Sequence, residues 1–64
     1  MMRTMYDVQQ LLKKYGTIIY TRDREMDLFL IEEDLRELHR LGLVDTETFQ
    51  QALLIIQNER MNLA

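Results

Sequence analysis

The 64-residue sequence has no cysteine, no proline and no tryptophan, and it has only two glycines and one histidine. Without cysteine there is no disulfide, no thiolate zinc site and no cysteine nucleophile. The lack of proline suits a mostly helical chain, because proline breaks helices. No apolar run approaches the roughly 20 residues that span a membrane, and no signal-peptide core is present. Small secreted domains usually carry disulfides, so the composition favours the cytoplasm.

The formal net charge of −3 is unevenly distributed along the chain. Residues 1–24 carry five cations and two carboxylates, whereas residues 25–64 carry three cations and nine carboxylates. This asymmetry leaves two explanations open. Either the basic segment contacts an anionic partner, or a basic helix lies near an acidic one and their fields partly cancel.

Apolar residues recur at helical spacing in three segments that are separated by short connectors. This pattern predicts an all-α fold, a compact three-helix bundle that forms a single domain of residues 1–64. The predicted helices cover residues 5–15, 22–41 and 46–60. The residues expected to be among the most buried share the inner faces of the second and third helices: Leu28, Ile31, Leu35, Leu38, Phe49, Leu53 and Ile56.

Residues that favour helix ends lie at the borders of these segments. Thr4, Thr21 and Asp45 are the predicted N-caps, because their side chains accept hydrogen bonds from free backbone amides. Gly16 and Gly42 are the predicted C-terminal stops, because glycine adopts a left-handed backbone readily. The ends of the first two helices are therefore defined on both sides.

The sequence offers little of the chemistry that catalysis or metal binding requires. His39 has no second histidine and no cysteine to form a metal site with, and it is predicted to lie at the edge of the core. The carboxylates Glu32, Glu33, Asp34 and Glu37 point in several directions around one helix, and three short helices offer little cleft to separate their pKa values. We therefore expect no enzyme activity, no metal site and no cofactor.

Basic and aromatic residues recur on the outer face of the first helix and in the connector after it. They are Arg3, Tyr6, Gln10 and Lys13, with Lys14 beside them, followed by Tyr20, Arg22 and Arg24. On a surface that binds single-stranded nucleic acid, a tyrosine ring stacks on a base and cations neutralise phosphates. The pattern favours a binding module for single-stranded DNA or RNA, although an ordinary solvated helix face has the same composition.

Surplus apolar residues favour a second function. Leu54 and Met61 lie off the inner face of the third helix, and Phe29 and Leu30 lie off the main apolar stripe of the second. Exposed together, they form an adhesive patch typical of a homo-oligomer or a protein-interaction adaptor, whereas buried they complete a small core. No membrane partner is expected, because the core requires the apolar face of the basic helix.

Three stretches of the sequence carry a family resemblance. They are YDVQQLLKKYG at residues 6–16, IIYT at residues 18–21, and the Asp-Leu pair at residues 27–28 with the Glu-rich helix that follows. Together they resemble the YqgQ-like family of small bacterial cytosolic proteins. The resemblance implies a single three-helix domain with structural rather than catalytic motifs, and it implies a role in binding single-stranded nucleic acid.

Overall fold

Three helices form the computed structural model, which describes residues 2–63. They are α1 (Met5–Lys14), α2 (Arg24–Arg40) and α3 (Thr46–Met61). Each helix contacts both of the others, and no strand occurs within the described range. The predicted all-α three-helix bundle is therefore confirmed. The predicted domain of residues 1–64 extends one residue beyond the described range at each end.

The apolar core lies between the three helices and is centred on α2. The buried apolar residues are Met5, Val8, Leu12, Leu28, Ile31, Leu35, Leu38, Val44, Ala52 and Ile56. The four from α2 recur every three or four positions, which places them on one helix face. Burial is thus confirmed for Leu28, Ile31, Leu35, Leu38 and Ile56.

The same prediction is wrong for Phe49 and Leu53, which are only half-buried. The Phe49 ring lies flat against the His39 ring at the rim of the core, with centroids 4.1 Å apart and planes 1° from parallel. On α3 the side chains of Ala52 and Ile56 occupy the centre of the contact. Leu53 is rotated from Ala52 by about 100° around the helix and therefore packs at its edge.

The start of α1 is held by reciprocal hydrogen bonds between Thr4 and Asp7, as expected for an N-cap at Thr4. The Thr4 hydroxyl accepts from the Asp7 amide at 3.3 Å, and the Asp7 carboxylate accepts from the Thr4 amide at 3.1 Å. The Arg3 amide donates to the same carboxylate at 2.8 Å. The hydrogen bonds from Arg3 and then Thr4 lower the pKa of Asp7, since they stabilise its charged form.

Gly16 and Gly42 end α1 and α2 with left-handed backbones, at φ +90° and +78°. At both ends the residue after the glycine donates its amide to a carbonyl in the last helical turn at 3.0 Å, which is the Schellman arrangement. A side chain at either position would meet no atom within 4 Å. The predicted stops are confirmed, and the backbone conformation rather than the available space favours glycine.

The predicted N-cap of the second helix, Thr21, is wrong. The helix begins two residues later than expected, and its N-cap is Asp23, whose side chain accepts from the Met26 amide at 3.2 Å. Between them Arg22 has a left-handed backbone at φ +71°, which is incompatible with a first helical turn. The Thr21 hydroxyl instead donates to the buried carboxylate of Asp27 at 2.7 Å. In α3 the predicted N-cap position, Asp45, is confirmed, but its side chain makes no capping hydrogen bond.

Candidate nucleic-acid interface

One group of basic side chains takes no part in the ion pairs found among the described residues. The four pairs found among residues 2–63 join Arg24 to Glu59, Arg36 and Arg60 to Glu32, and Arg40 to Glu37. The remaining cations are all exposed and come from the first 22 residues: Arg3, Lys13, Lys14 and Arg22. None of them pairs with a carboxylate in the described part of the chain. A carboxylate of the same chain therefore neutralises the charge of Arg24 by direct contact, but no such contact neutralises these four cations within the described residues.

The arginines paired with Glu32 have a structural role. The Glu32 carboxylate accepts from Arg36 at 2.8 Å within α2 and from Arg60 of α3 at 3.0 Å. The hydrogen bond from Arg36 and then the one from Arg60 lower the pKa of Glu32 below its usual value. Arg60 therefore joins α3 to α2, whereas Arg36 pairs within α2, and both belong to the structure of the bundle.

The outer face of α1 presents an aromatic ring between polar and basic side chains. Tyr6 is 67% exposed, and Gln10, Lys13 and Lys14 are also exposed. Tyr6, Gln10 and Lys13 follow one another at four and three residues, so they lie on one face of the helix. Arg3 is exposed just before the helix, where its backbone amide is bonded to Asp7. The structure thus keeps these predicted site residues together.

The connector and the first residue of α2 contribute a second group, which lines a depression that we call the basic groove. Tyr20, Arg22 and Arg24 line it together with Gln9 of α1 and Asp27 of α2. The Tyr20 ring is 75% exposed. The Arg24 guanidinium lies 2.6 Å from Glu59, so Arg22 is the groove's cation without an ion pair among residues 2–63.

Gln9 links the two groups and is not among the site residues predicted from the sequence. It lies three residues after Tyr6 and four residues before Lys13, so it adjoins both on the helix surface. Because Gln9 also lines the basic groove, the groove continues onto the outer face of α1. Its signal in the sequence was weak, since a glutamine at a helix edge is common.

Asp27 lines the groove and binds the connector through its buried carboxylate. It too is not among the site residues predicted from the sequence. It is only 4% exposed, and one of its carboxylate oxygens accepts from both the amide and the hydroxyl of Thr21 at 2.7 Å each. These bonds fix the connector beside the residues that line the groove. The available signal was an acidic residue inside the apolar stripe of α2, next to Leu28 and four residues before Ile31.

A second cavity, which we call the apolar pit, lies next to the basic groove under the connector. Its volume is about 210 Å³, and its lining residues are Gln9, Leu12, Thr17, Ile18, Ile19, Tyr20 and Ile31. Gln9 and Tyr20 line both the pit and the groove. A charged depression and an apolar one therefore share a wall.

Between residues 2 and 63 no three His, Cys, Asp or Glu side chains lie close enough together to hold a metal ion. In that range no helix has both the length and the apolar character needed to cross a bilayer.

The chain is similar to a known protein family and to a bacterial protein. The YqgQ-like family model matches residues 2–62. A protein of Bacillus subtilis (strain 168), described as "Uncharacterized protein YqgQ", is 38% identical over 58 residues. That alignment covers 91% of this chain and 82% of the relative. The family match includes all three helices, the connector and every residue of the candidate interface.

Proposed function

The chain belongs to the YqgQ-like family, and from that premise we propose that it is a small non-catalytic module that binds single-stranded nucleic acid in the cytoplasm. The observation that carries the proposal is the set of four exposed cations without ion pairs among the described residues. They lie on the same outer face of α1 and connector as the two exposed tyrosines, Tyr6 and Tyr20. The absence of cysteine suits the proposed compartment.

The two kinds of side chain act differently on a strand. An exposed tyrosine ring stacks on any base and contributes roughly 1–3 kcal/mol per base, while the cations release counterions from phosphates. Neither interaction reads sequence, so binding has little base preference. The net charge of −3 opposes association, so the affinity is expected to be modest even at low salt. The contacts between cations and phosphates make it fall further as salt is added.

The experiment is a fluorescence-anisotropy titration of a labelled single-stranded oligonucleotide at low salt. With four cations and a slope of about −0.7 per neutralised phosphate, log affinity should fall against log salt with a slope of about −2 to −3. Neutralising Lys13 and Lys14 to Gln should weaken binding at least tenfold without loss of helicity, because both side chains are exposed.

A matched control separates local charge from net charge. Replacing Gln57 and Asn58 by Glu changes the net charge by the same amount on the exposed surface of α3, and it should leave most of the affinity intact. Tyr6→Ala should weaken binding at an unchanged salt slope, because it removes stacking and no charge. Equal losses in both charge variants, or no binding by the parent at low salt, contradict the proposal.

A second candidate function is self-association through α3. Leu54 is 62% exposed and Met61 is 73% exposed, and their seven-residue spacing places them on one helix face. Phe29 and Leu30 add exposed apolar area on α2. We propose as the alternative that a second copy of the chain covers the α3 face in a symmetric contact.

The mass in solution, measured by sedimentation, tests whether the protein self-associates. The alternative predicts a dimer mass that Leu54→Glu reduces to a monomer mass, and a mass that does not depend on added oligonucleotide. A parent protein that stays monomeric at high concentration rules the alternative out.

A further inference from the structure

We propose that the apolar pit takes one unstacked base of the bound strand and that Arg22, in the adjoining basic groove, contacts the phosphate next to that base. This inference rests on the proposed nucleic-acid binding and locates it. It assigns a nucleotide subsite to the connector between α1 and α2, which is distinct from the stacking face around Tyr6.

The pit has the size and chemistry for one ring. Pockets for drug-sized ligands have volumes of roughly 300–1,000 Å³, whereas the pit measures about 210 Å³. Leu12, Ile19 and Ile31 supply apolar walls, and the polar side-chain groups of the lining residues are the Gln9 amide and the hydroxyls of Thr17 and Tyr20. Proteins that hold an unstacked base place its faces against apolar or aromatic side chains and bond its edge to polar ones.

The arrangement of pit and groove matches the arrangement of a nucleotide. A base is apolar on its faces and is joined through one sugar to a phosphate, so its binding site needs an apolar depression next to a cation. Gln9 and Tyr20 line both cavities, and Arg22 lines the groove. The groove also contains a carboxylate, Asp27, but two hydrogen bonds from Thr21 occupy one of its oxygens.

The backbone at Arg22 gives an independent reason to assign it a function. Arg22 is the non-glycine residue with positive φ within residues 2–63, at φ +71°. This conformation destabilises the fold for any residue with a Cβ, and glycine would avoid that cost. The Arg22 side chain makes no ion pair with a described residue that would offset it. Residues in costly backbone conformations cluster at functional sites, where the side chain is needed.

The first test uses the opposite effects expected of Arg22→Gly on stability and on binding. Thermal unfolding should show an unchanged or higher Tm, by up to a few degrees, because glycine relieves the left-handed backbone. Anisotropy titration should show an affinity about fivefold lower for a labelled oligothymidylate. The slope of log affinity against log salt concentration should become shallower by about 0.7, which corresponds to the loss of one phosphate contact.

The second test addresses the base. Ile18 lines the pit and is 77% exposed, so Ile18→Ser alters the rim without opening the core. It should weaken binding of the oligothymidylate severalfold and leave binding of an abasic strand of the same length unchanged. Leu54→Ser, an exposed apolar change on α3, is the control and should affect neither strand.

The outcomes separate this inference from the proposed function. If the parent binds and neutralising Lys13 and Lys14 weakens it, but Arg22→Gly keeps the parent's affinity and slope, the assignment of Arg22 is wrong. If Ile18→Ser changes binding of both strands equally, or of neither, the assignment of the pit is wrong. If the parent binds no strand at low salt, the proposed function fails and this inference fails with it.

Discussion

Replacing Leu35 by alanine tests the architecture most directly, because Leu35 is fully buried in the middle of α2. The change removes about three carbon groups at about 0.8 kcal/mol each, or about 2.4 kcal/mol of transfer free energy. The cavity left behind raises the expected loss to about 3–5 kcal/mol. A chain of 64 residues has a free energy of unfolding of about 3–10 kcal/mol, at 0.05–0.15 kcal/mol per residue. Leu35→Ala should therefore remove a third or more of the stability.

Leu54→Ala makes the same chemical change at a position that is 62% exposed. In a monomer its effect should be within about 0.5 kcal/mol. Urea unfolding followed by far-ultraviolet circular dichroism measures both variants, with the slope of the free energy against urea as a check that the unfolded state is the same. If the two substitutions cost the same at every protein concentration, the core is assigned to the wrong face. If Leu54→Ala matters only at high concentration, the α3 face is an interface between copies.

Two further predictions concern polar contacts. Glu32→Gln should lower the free energy of unfolding by about 1 kcal/mol at neutral pH. Because the pKa of Glu32 is lowered by folding, this contribution is present above the usual value of 4.5 and disappears as the pH falls through the lower folded pKa. A gap between parent and variant that does not narrow as the pH falls below 4.5 would contradict this, and urea titrations across the acid range measure it. At the helix starts, Asp23→Ala should cost about 1 kcal/mol and Asp45→Ala less, because the Asp23 side chain makes a capping hydrogen bond and the Asp45 side chain does not. Thermal melts of the two variants compare them, and equal losses would be the unexpected result.

The course of the helices was predictable because the information is local. The stripe of α2 repeats every three or four residues, and the stops at Gly16 and Gly42 depend on the last turn of each helix. The start of α2 was not predictable in the same way, because Thr21 and Asp23 are both good caps. The choice depends on the left-handed backbone of Arg22 and on the carboxylate of Asp27, which lies six residues from Thr21.

The candidate interface was predictable in its residues more than in its shape. Exposure of Lys13 and Lys14 follows from their position on the outer face of α1. By contrast, the pairing of Arg24 with Glu59 joins residues 35 positions apart, and no local pattern signals it. The apolar pit combines side chains from α1, the connector and α2. Such a cavity exists only after the connector has packed over both helices. The periodicity of the sequence therefore does not predict it.

The two glycine stops have a consequence for chemical synthesis of the protein. Because an ordinary Cβ would meet no atom within 4 Å at either position, the requirement there is one of backbone conformation rather than of size. A D-alanine is the mirror-image residue that prefers the positive φ found at both sites. It would restrict the unfolded chain while matching the backbone φ of the folded one, so each replacement should stabilise the bundle. Its two helix ends thus accept residues of the hand opposite to that of the rest of the polypeptide.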